Sequence, residues 1–259
     1  MQCKNCSNSL RTDYSYCPNC GGKIIRNRLT VKNLWDDILE RYFNLDNTFI
    51  TTFKNLFSQP EIVIEGYIHG ARKKYLNPIS YLGIAITLSG ILVFFMKKNS
   101  GDLNMDILGT GTSQVGQAKL WDVVLDYQAI FFVMYIPMMA AAGWLNFQAQ
   151  KYNFSERVVI FMYTLAQYSL SIFIPSLIIL AFFPKFYIWY SFLGILFMYL
   201  YSAYVIKKIA REKRLELWSK IFIFWAVFTF FYLGISIILP LILFLTGSIQ
   251  LDDFRPPSP

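Results

Sequence analysis

The stretch that decides the fold is VVIFMYTLAQYSLSIFIPSLIILAFF, residues 158–183, which contains no Asp, Glu, Lys, Arg or His. A helix that crosses the hydrocarbon core of a bilayer needs about 20 predominantly apolar residues. An apolar stretch of this length therefore predicts a membrane-spanning helix. Pro184 and Lys185 follow directly and predict a very tight turn into the next apolar stretch.

Four further stretches have the same length and character, and they too lack Asp, Glu, Lys, Arg and His: residues 78–96, 127–145, 186–206 and 221–246. Charged residues make up only 15% of the chain, whereas about a quarter of the residues of a soluble domain are charged. The sequence therefore predicts an all-α polytopic membrane protein with about five transmembrane helices. The net charge of +8 does not by itself indicate nucleic acid, because the distribution of the basic residues explains it better.

Basic residues fall mainly on one side of these five predicted spans. The N-terminal side holds 19 of the 24 lysine and arginine residues, and the other side holds five. Cytoplasmic loops carry the excess of Lys and Arg in membrane proteins. The asymmetry predicts a multi-pass membrane protein with a cytoplasmic N-terminus and an external C-terminal tail, residues 247–259.

All four cysteines lie in the first twenty residues, as the pairs Cys3/Cys6 and Cys17/Cys20, each with two residues between its members. Two such turns can supply the four thiolates of a tetrahedral structural zinc site. Gly21 after the second pair suits the tight backbone of such a turn. Because so short a segment cannot bury enough apolar area to fold alone, the metal would supply its folding free energy. We therefore predict a small N-terminal four-cysteine zinc ribbon over residues 1–28, with structural Zn²⁺ as its cofactor.

Other uses of the four thiols remain open at this stage. A rubredoxin-like iron site and a pair of disulfides fit the same spacing, although a reducing cytoplasm disfavours disulfides. A redox pair of the thioredoxin type requires a βαβ context, which these residues lack. A catalytic zinc is not expected, because four cysteine ligands leave no open position on the metal.

Residues 29–77 form a neck between the ribbon and the predicted transmembrane domain, residues 78–246. Phe49, Phe53, Leu56 and Phe57 repeat at the spacing of one helix face, and residues 61–70 can form a second short helix after Pro60. Two arrangements are open for these amphipathic helices. They lie in the cytoplasmic membrane interface, or they pack on the cytoplasmic ends of the spans.

Residues 59–81 read QPEIVIEGYIHGARKKYLNPISY and include the pattern GxRKxYxxPxxY from Gly70 to Tyr81. With the N-terminal cysteine pairs, the CPxCG motif at residues 17–21 and a threonine-rich amphipathic segment, the chain resembles the bacterial family of unknown function 3667. The resemblance covers about residues 1–100, and the remainder is similar only in hydropathy. Ala71 stands where a more polar residue is expected. The resemblance implies an architecture and, because the family is bacterial, a place in the bacterial inner membrane. It carries no activity.

Arg72, Lys73, Lys74 and Tyr75 directly precede the first predicted span. One interpretation is that they bind anionic lipid headgroups or a partner, since each basic side chain near a membrane surface contributes about 1 kcal/mol. The other is that they only hold the N-terminus inside. His69, the one histidine, is expected to be a bystander at the interface, with a fifth metal ligand or a proton shuttle as the alternatives.

Three classes of function compete. The first is a non-catalytic membrane scaffold or adaptor that docks a cytoplasmic protein partner through its ribbon. The second is a transporter or channel for a lipid or neutral solute, which the absence of charged side chains from the predicted spans disfavours. The third is an enzyme, for which the sequence shows no acid–base set. We therefore expect no catalytic residues, the bilayer as the main partner, and no nucleic-acid binding.

Overall fold

In a computed structural model of the chain, the residues that the structure describes are 2–3, 6–21, 48–71, 74–99, 114–146, 152–210, 214–247 and 250. The chain divides into two compact units, Met1–Leu45 and Asp46–Pro259, which we call the head and the body. Within the described residues the body is helical throughout, without a β-strand. In the head, Gln2 and Ser9 form an isolated antiparallel bridge.

The body contains eight α-helices among its described residues. They are α1 Thr48–Ser58, α2 Pro60–Ile68, α3 Pro78–Lys98, α4 Gln114–Asp126, α5 Gln128–Asn146, α6 Phe154–Phe182, α7 Tyr187–Ala210 and α8 Arg214–Leu245. A single 3-10 turn, Pro184–Phe186, joins α6 to α7, as the proline and lysine at this point predict. Asn77 caps the start of α3 by accepting a hydrogen bond from the Ser80 backbone. Asn153 and Glu156 form a reciprocal capping box at the start of α6.

Four of these helices, α3, α6, α7 and α8, are long and apolar enough to cross a membrane. The second predicted span corresponds to α5, which is joined to α4 by a bend of 64° at Tyr127. If this bent pair counts as one span, the number becomes five. The fold class expected from the sequence, an all-α polytopic membrane protein with about five spans, is confirmed.

Helix α6 is the centre of the body, because it contacts α3, α5, α7 and both neck helices, α1 and α2. Its buried face carries large side chains from Ile160 to Leu170. Phe161 stacks on Phe224 of α8, with ring centroids 5.4 Å apart. Most of the helices of the body therefore pack against this one helix.

The neck helices belong to the body and pack on one end of the bundle. Leu56 of α1 and Val63 and Ile64 of α2 are fully buried in the same core as the apolar helices. Of the two arrangements open for the neck, the structure therefore has the packed one. The predicted neck, residues 29–77, is divided by the unit boundary after Leu45, and its residues 29–47 lie outside the described part of the chain.

Helix α4 is an element that the sequence did not lead us to predict. Leu125 is buried, and it packs with Trp121 against Met96 and Leu180 at the end of the bundle away from the neck. Asp126 forms an ion pair with Lys97 at the end of α3. We call this the far end of the body, and the end that carries α1 and α2 the neck end.

Candidate metal centre and the neck of the body

The four cysteine sulfurs converge on one point in the head. All of them lie within 4.8 Å of one another, with Cys3 Sγ 3.7 Å from Cys20 Sγ and Cys6 Sγ 3.6 Å from Cys17 Sγ. A tetrahedron with metal–sulfur bonds of about 2.3 Å has sulfur–sulfur edges of about 3.8 Å. Both separations fit that edge, and both far exceed the roughly 2.05 Å of a disulfide bond. The four residues could therefore hold a metal ion.

The two cysteine pairs adopt the same backbone turn. Ser7 N donates to Cys3 O, and Gly21 N donates to Cys17 O, both at 2.9 Å. The residue after each pair has a positive φ, 59° at Ser7 and 69° at Gly21. The second of these positions carries the glycine that the sequence analysis assigned to a tight backbone. Two equivalent turns facing each other place two sulfurs on each side of the centre.

The cluster of thiols favours a cation at its centre. A hydrogen bond with the Asn8 backbone lowers the pKa of the Cys6 thiol, but hydrogen bonds with Cys20, Cys17 and Cys3, together with burial, raise that pKa to about 11. Several thiolates in so small a volume repel one another unless a positive charge compensates them. A soft cation bound by four sulfurs is the chemistry that this donor set suits.

The rest of the described head is small and polar. Its buried core consists of Cys3, Leu10 and Cys17, with Tyr14 partly buried against them. Tyr16 is 54% exposed. Arg11 pairs with Asp13 at 3.3 Å. Between the two cysteine turns, Arg11 Cζ lies 5.9 Å from the centre of the Tyr14 ring.

At the neck end of the body, a buried threonine joins α1 to the start of α3. Thr52 is fully buried, and its hydroxyl donates to Thr48 O at 2.6 Å and accepts from Leu76 N at 2.9 Å. Tyr163 of α6 donates to Leu76 O at 2.6 Å. Both backbone groups of Leu76 are therefore satisfied where the chain enters its first span.

A second set of hydrogen bonds crosses the bundle through Gln167 of α6. The Tyr81 hydroxyl of α3 donates to Gln167 Oε1, and Gln167 Nε2 donates to Phe53 O of α1 at 3.2 Å. Gln167 and Tyr81 are both fully buried. Because hydrogen bonds are stronger in a low-dielectric interior, the two bonds of the Gln167 amide hold α1, α3 and α6 in one arrangement.

The C-terminal end of α1 is capped by tyrosines of α7. Tyr201 donates to Leu56 O at 2.9 Å, and Tyr204 donates to Phe57 O at 2.8 Å and to Ser58 O at 3.1 Å. The last carbonyl groups of a helix have no partner within it. Tyrosine hydroxyls from a neighbouring helix supply the missing donors here, which ties the neck to the bundle.

Charged groups of the neck end interact with α2 and α5. Lys208 Nζ lies 3.6 Å from Glu61 Oε1, and Tyr152 donates to Glu65 Oε1 at 2.7 Å. Arg157, almost fully buried, donates through Nη1 to Gly143 O at 2.9 Å. That carbonyl is in the last turn of α5, so Arg157 caps α5 with a cation.

Of the four predicted lipid-contacting residues, the structure describes two, Lys74 and Tyr75, which lie at this neck end. Arg72 and Lys73 lie outside the described residues. Lys74 is exposed, with its ammonium group 5.3 Å from the centre of the Tyr75 ring. Tyr75 is buried, and its hydroxyl accepts from Asn55 Nδ2 at 3.1 Å. Tyr75 therefore packs within the neck.

Among the polar residues inside the spans, Gln167 bonds between helices, while several hydroxyls bond to their own helix. Thr87, Ser89, Thr164 and Ser171 donate to carbonyls three or four residues earlier, a common use of these side chains. His69 is exposed at the end of α2, where Nδ1 lies 2.7 Å from Glu65 O. No sequence pattern indicates a structural role for the tyrosines at residues 81, 163, 201 and 204, or for the buried Arg157.

Residues 46–90 match the model of a family described as "Protein of unknown function (DUF3667)". The matched segment comprises the two neck helices, the connection through Leu76 and the first part of α3. It does not include the cysteine pairs, so it is shorter than the resemblance over residues 1–100 that the sequence motifs suggest. No curated protein and no solved structure matches the chain.

Proposed function

We propose that this protein is an integral membrane scaffold or adaptor whose head, closed around a structural zinc ion, docks a cytoplasmic protein partner. The observation that carries the proposal is the set of four sulfurs at the separations of a tetrahedron. With every ligand supplied by a cysteine, the metal has no position open for a substrate or a reactive water. Such a centre shapes a surface and performs no reaction.

The surface of the head suits a protein partner. Aromatic and arginine side chains are enriched in protein interfaces, and the loop between the cysteine turns carries Arg11, Tyr14 and the exposed Tyr16. The backbone of this loop is anchored at both ends by metal ligands. The metal would therefore hold these side chains in one arrangement, which lowers the entropic cost of binding.

The body supports an anchoring role. In its described membrane helices, Asp, Glu, Lys and Arg stand in the first two turns or the last turn, as at Glu156, Arg157, Lys208 and Lys220. The middle of each helix offers no acid–base group to a substrate, and the buried Gln167 is bonded at both ends. We infer a non-catalytic anchor with these properties.

We further propose that the protein resides in a bacterial inner membrane with the N-terminus in the cytoplasm and the C-terminus outside. The basic asymmetry of 19 against five residues supports this orientation. Arg72, Lys73 and Lys74 would then face anionic headgroups of the cytoplasmic leaflet. A reporter that is active only outside the cytoplasm, fused to the C-terminus, should be active. Activity of a cytoplasmic reporter at the same position would show that the C-terminus lies in the cytoplasm and would contradict the proposal.

The docking role is tested with the full chain and two variants of the head. Replacing both Cys17 and Cys20 by serine should abolish association with the partner that the wild-type protein captures, while the amount inserted in the membrane stays the same. Tyr16→Ala should weaken the association and leave the metal content unchanged, because Tyr16 is not a ligand. Unchanged association in both variants would refute docking through the head. Solute or lipid flux in proteoliposomes that contain the double serine variant would favour the transporter instead.

A further inference from the structure

Helix α8 packs tightly at the neck end and leaves the bundle toward the far end. Leu217, Ile221, Phe224 and Phe228 are all at most 5% exposed and share one helix face. From residue 229 to Leu245, Leu243 is the one buried residue among the side chains that the structure describes. The second half of α8 therefore has little of its surface covered by the rest of the chain.

A groove opens where α8 separates from α5. Its larger part has a volume of about 500 Å³, and all of its lining is apolar, including Met134, Met138, Ile238 and Ile242. A smaller part of about 260 Å³ adjoins it across Phe131 and Ile235. The residues that line that part include Trp121, Tyr135, Tyr232 and Ser236, each of which carries a polar group. We call the two parts together the α5–α8 groove.

The position of the groove along α8 places it at membrane depth. Ile235 lies about 14 residues beyond Ile221, which at 1.5 Å per residue is roughly 20 Å along the helix. A hydrocarbon core is about 30 Å thick, so the groove lies in the leaflet away from the neck. The side chains along its rim, such as Ile238 and Ile242, are about half exposed, which means that the groove opens to the surrounding lipid.

The walls determine what can occupy this space. Because the groove is open along its rim, the molecules that surround the protein fill it. Water needs two to four polar partners, and the larger part supplies only apolar surface. Its volume falls in the range of ligand pockets, about 300–1,000 Å³. The adjoining part, with an indole and two phenols in its wall, suits an occupant that is polar at one end.

We propose that the α5–α8 groove binds one acyl chain of a phospholipid from the leaflet away from the neck, with the ester end of that lipid toward Trp121 of α4. An acyl chain with its ester group accounts for both observations. The hydrocarbon fits the apolar larger part, and the ester oxygens can accept hydrogen bonds from polar groups of the smaller part. This site goes beyond the scaffold function, because it lies in the body and does not depend on the metal centre. It also gives α4 a role, since α4 forms the wall on the polar side.

The test uses the full-length protein in vesicles of phosphatidylethanolamine and phosphatidylglycerol that contain a trace of phosphatidylethanolamine with a diazirine on one acyl chain. After illumination, mass spectrometry compares lipid adducts on the groove segments of α5 and α8 with those on α3. Helix α3 is the internal reference because Ile79 and Phe94 expose most of their surface and neither lines the groove. The expected result is labelling of the groove segments several-fold above that of α3.

Two adjacent isoleucines provide a matched pair of variants. Ile238 lines the groove and is 54% exposed, whereas Ile237 is 61% exposed and is not part of the lining. Ile238→Trp should reduce labelling of the groove to the level of α3, and Ile237→Trp should leave it unchanged. Gly234→Phe is a second filling variant, since a Cβ at Gly234 meets no atom within 4 Å. It should have the same effect as Ile238→Trp.

Several results would overturn the proposal. In the wild-type protein, labelling of the groove no stronger than that of α3 would show ordinary lipid contact and no binding site. This result does not depend on whether the variants fold. Labelling that persists in both filling variants would show that the acyl chain binds outside the groove. Crosslinks between two copies of the protein at Met134 or Ile238 would assign the groove to a second copy.

Discussion

Three residues, Cys3, Leu10 and Cys17, form the buried core of the described head, whereas the main core of the body reaches from Leu56 of the neck to Phe228 of α8. A core as small as that of the head cannot offset the conformational entropy of the chain. The body has helices that satisfy their own backbone groups and a large apolar core. From this comparison we propose that the head depends on a metal for its fold and the body does not.

The largest effect that separates the two units should come from removing the metal ligands. Replacing Cys17 and Cys20 by serine should unfold the head completely, because binding free energies of structural zinc sites are about 10–16 kcal/mol. Hydrogen exchange should show full loss of amide protection over residues 6–21, with protection in α3 and α6 retained. A head that stays protected without its ligands would mean that packing alone holds it.

Within the body, close packing should be the main source of stability. A Cβ at Gly143 would lie 2.9 Å from Phe161 Cε2, whereas a Cβ at Gly83 meets nothing within 4 Å. Gly143→Ala should therefore lower the free energy of unfolding by up to about 3 kcal/mol. Gly83→Ala should raise it by about 0.5–1 kcal/mol, since alanine is the better helix former. Denaturant titration in mixed micelles measures both, and equal effects would contradict the packing described for α5 and α6.

The sequence predicts the helices of the body well and their polar contacts poorly. The apolar stretches locate α3, α5, α6, α7 and α8 because length and hydropathy are local properties. The bonds of Tyr81, Tyr163 and Tyr201 join residues far apart in the chain, so no local pattern identifies them. In the head, the cysteine spacing identifies the ligand set, since each pair forms its own turn. The identity of the ion is not encoded by spacing, because iron accepts the same four thiolates.

A smaller effect is expected from the buried hydrogen bonds of the neck. Tyr81→Phe removes the donor to Gln167 and leaves a buried amide oxygen without that bond, which should cost about 1–2 kcal/mol. The control is Tyr127→Phe, because Tyr127 is 53% exposed and should change stability by less than about 0.5 kcal/mol. Urea unfolding followed by circular dichroism measures the pair. A loss in Tyr127→Phe as large as in Tyr81→Phe would refute the role of the Gln167 bonds.

The smallest effect should come from the ion pair at the neck. Lys208 and Glu61 lie 3.6 Å apart with side chains 37% and 20% exposed, so solvent and salt screen their attraction. Lys208→Met should destabilise the body by less than about 1 kcal/mol, and 1 M salt should shrink the difference from wild type. A larger and salt-independent loss would show that Lys208 contributes packing beyond its charge.

The dependence of the head on a metal is tested most directly by elemental analysis of the purified full chain, together with a variant in which all four cysteines are replaced by serine. We expect about one zinc per chain in the wild-type protein and none in the variant, with the helical content of the body equal in both. Absence of bound metal from the wild-type protein, or four cysteines joined as disulfides, would contradict this dependence.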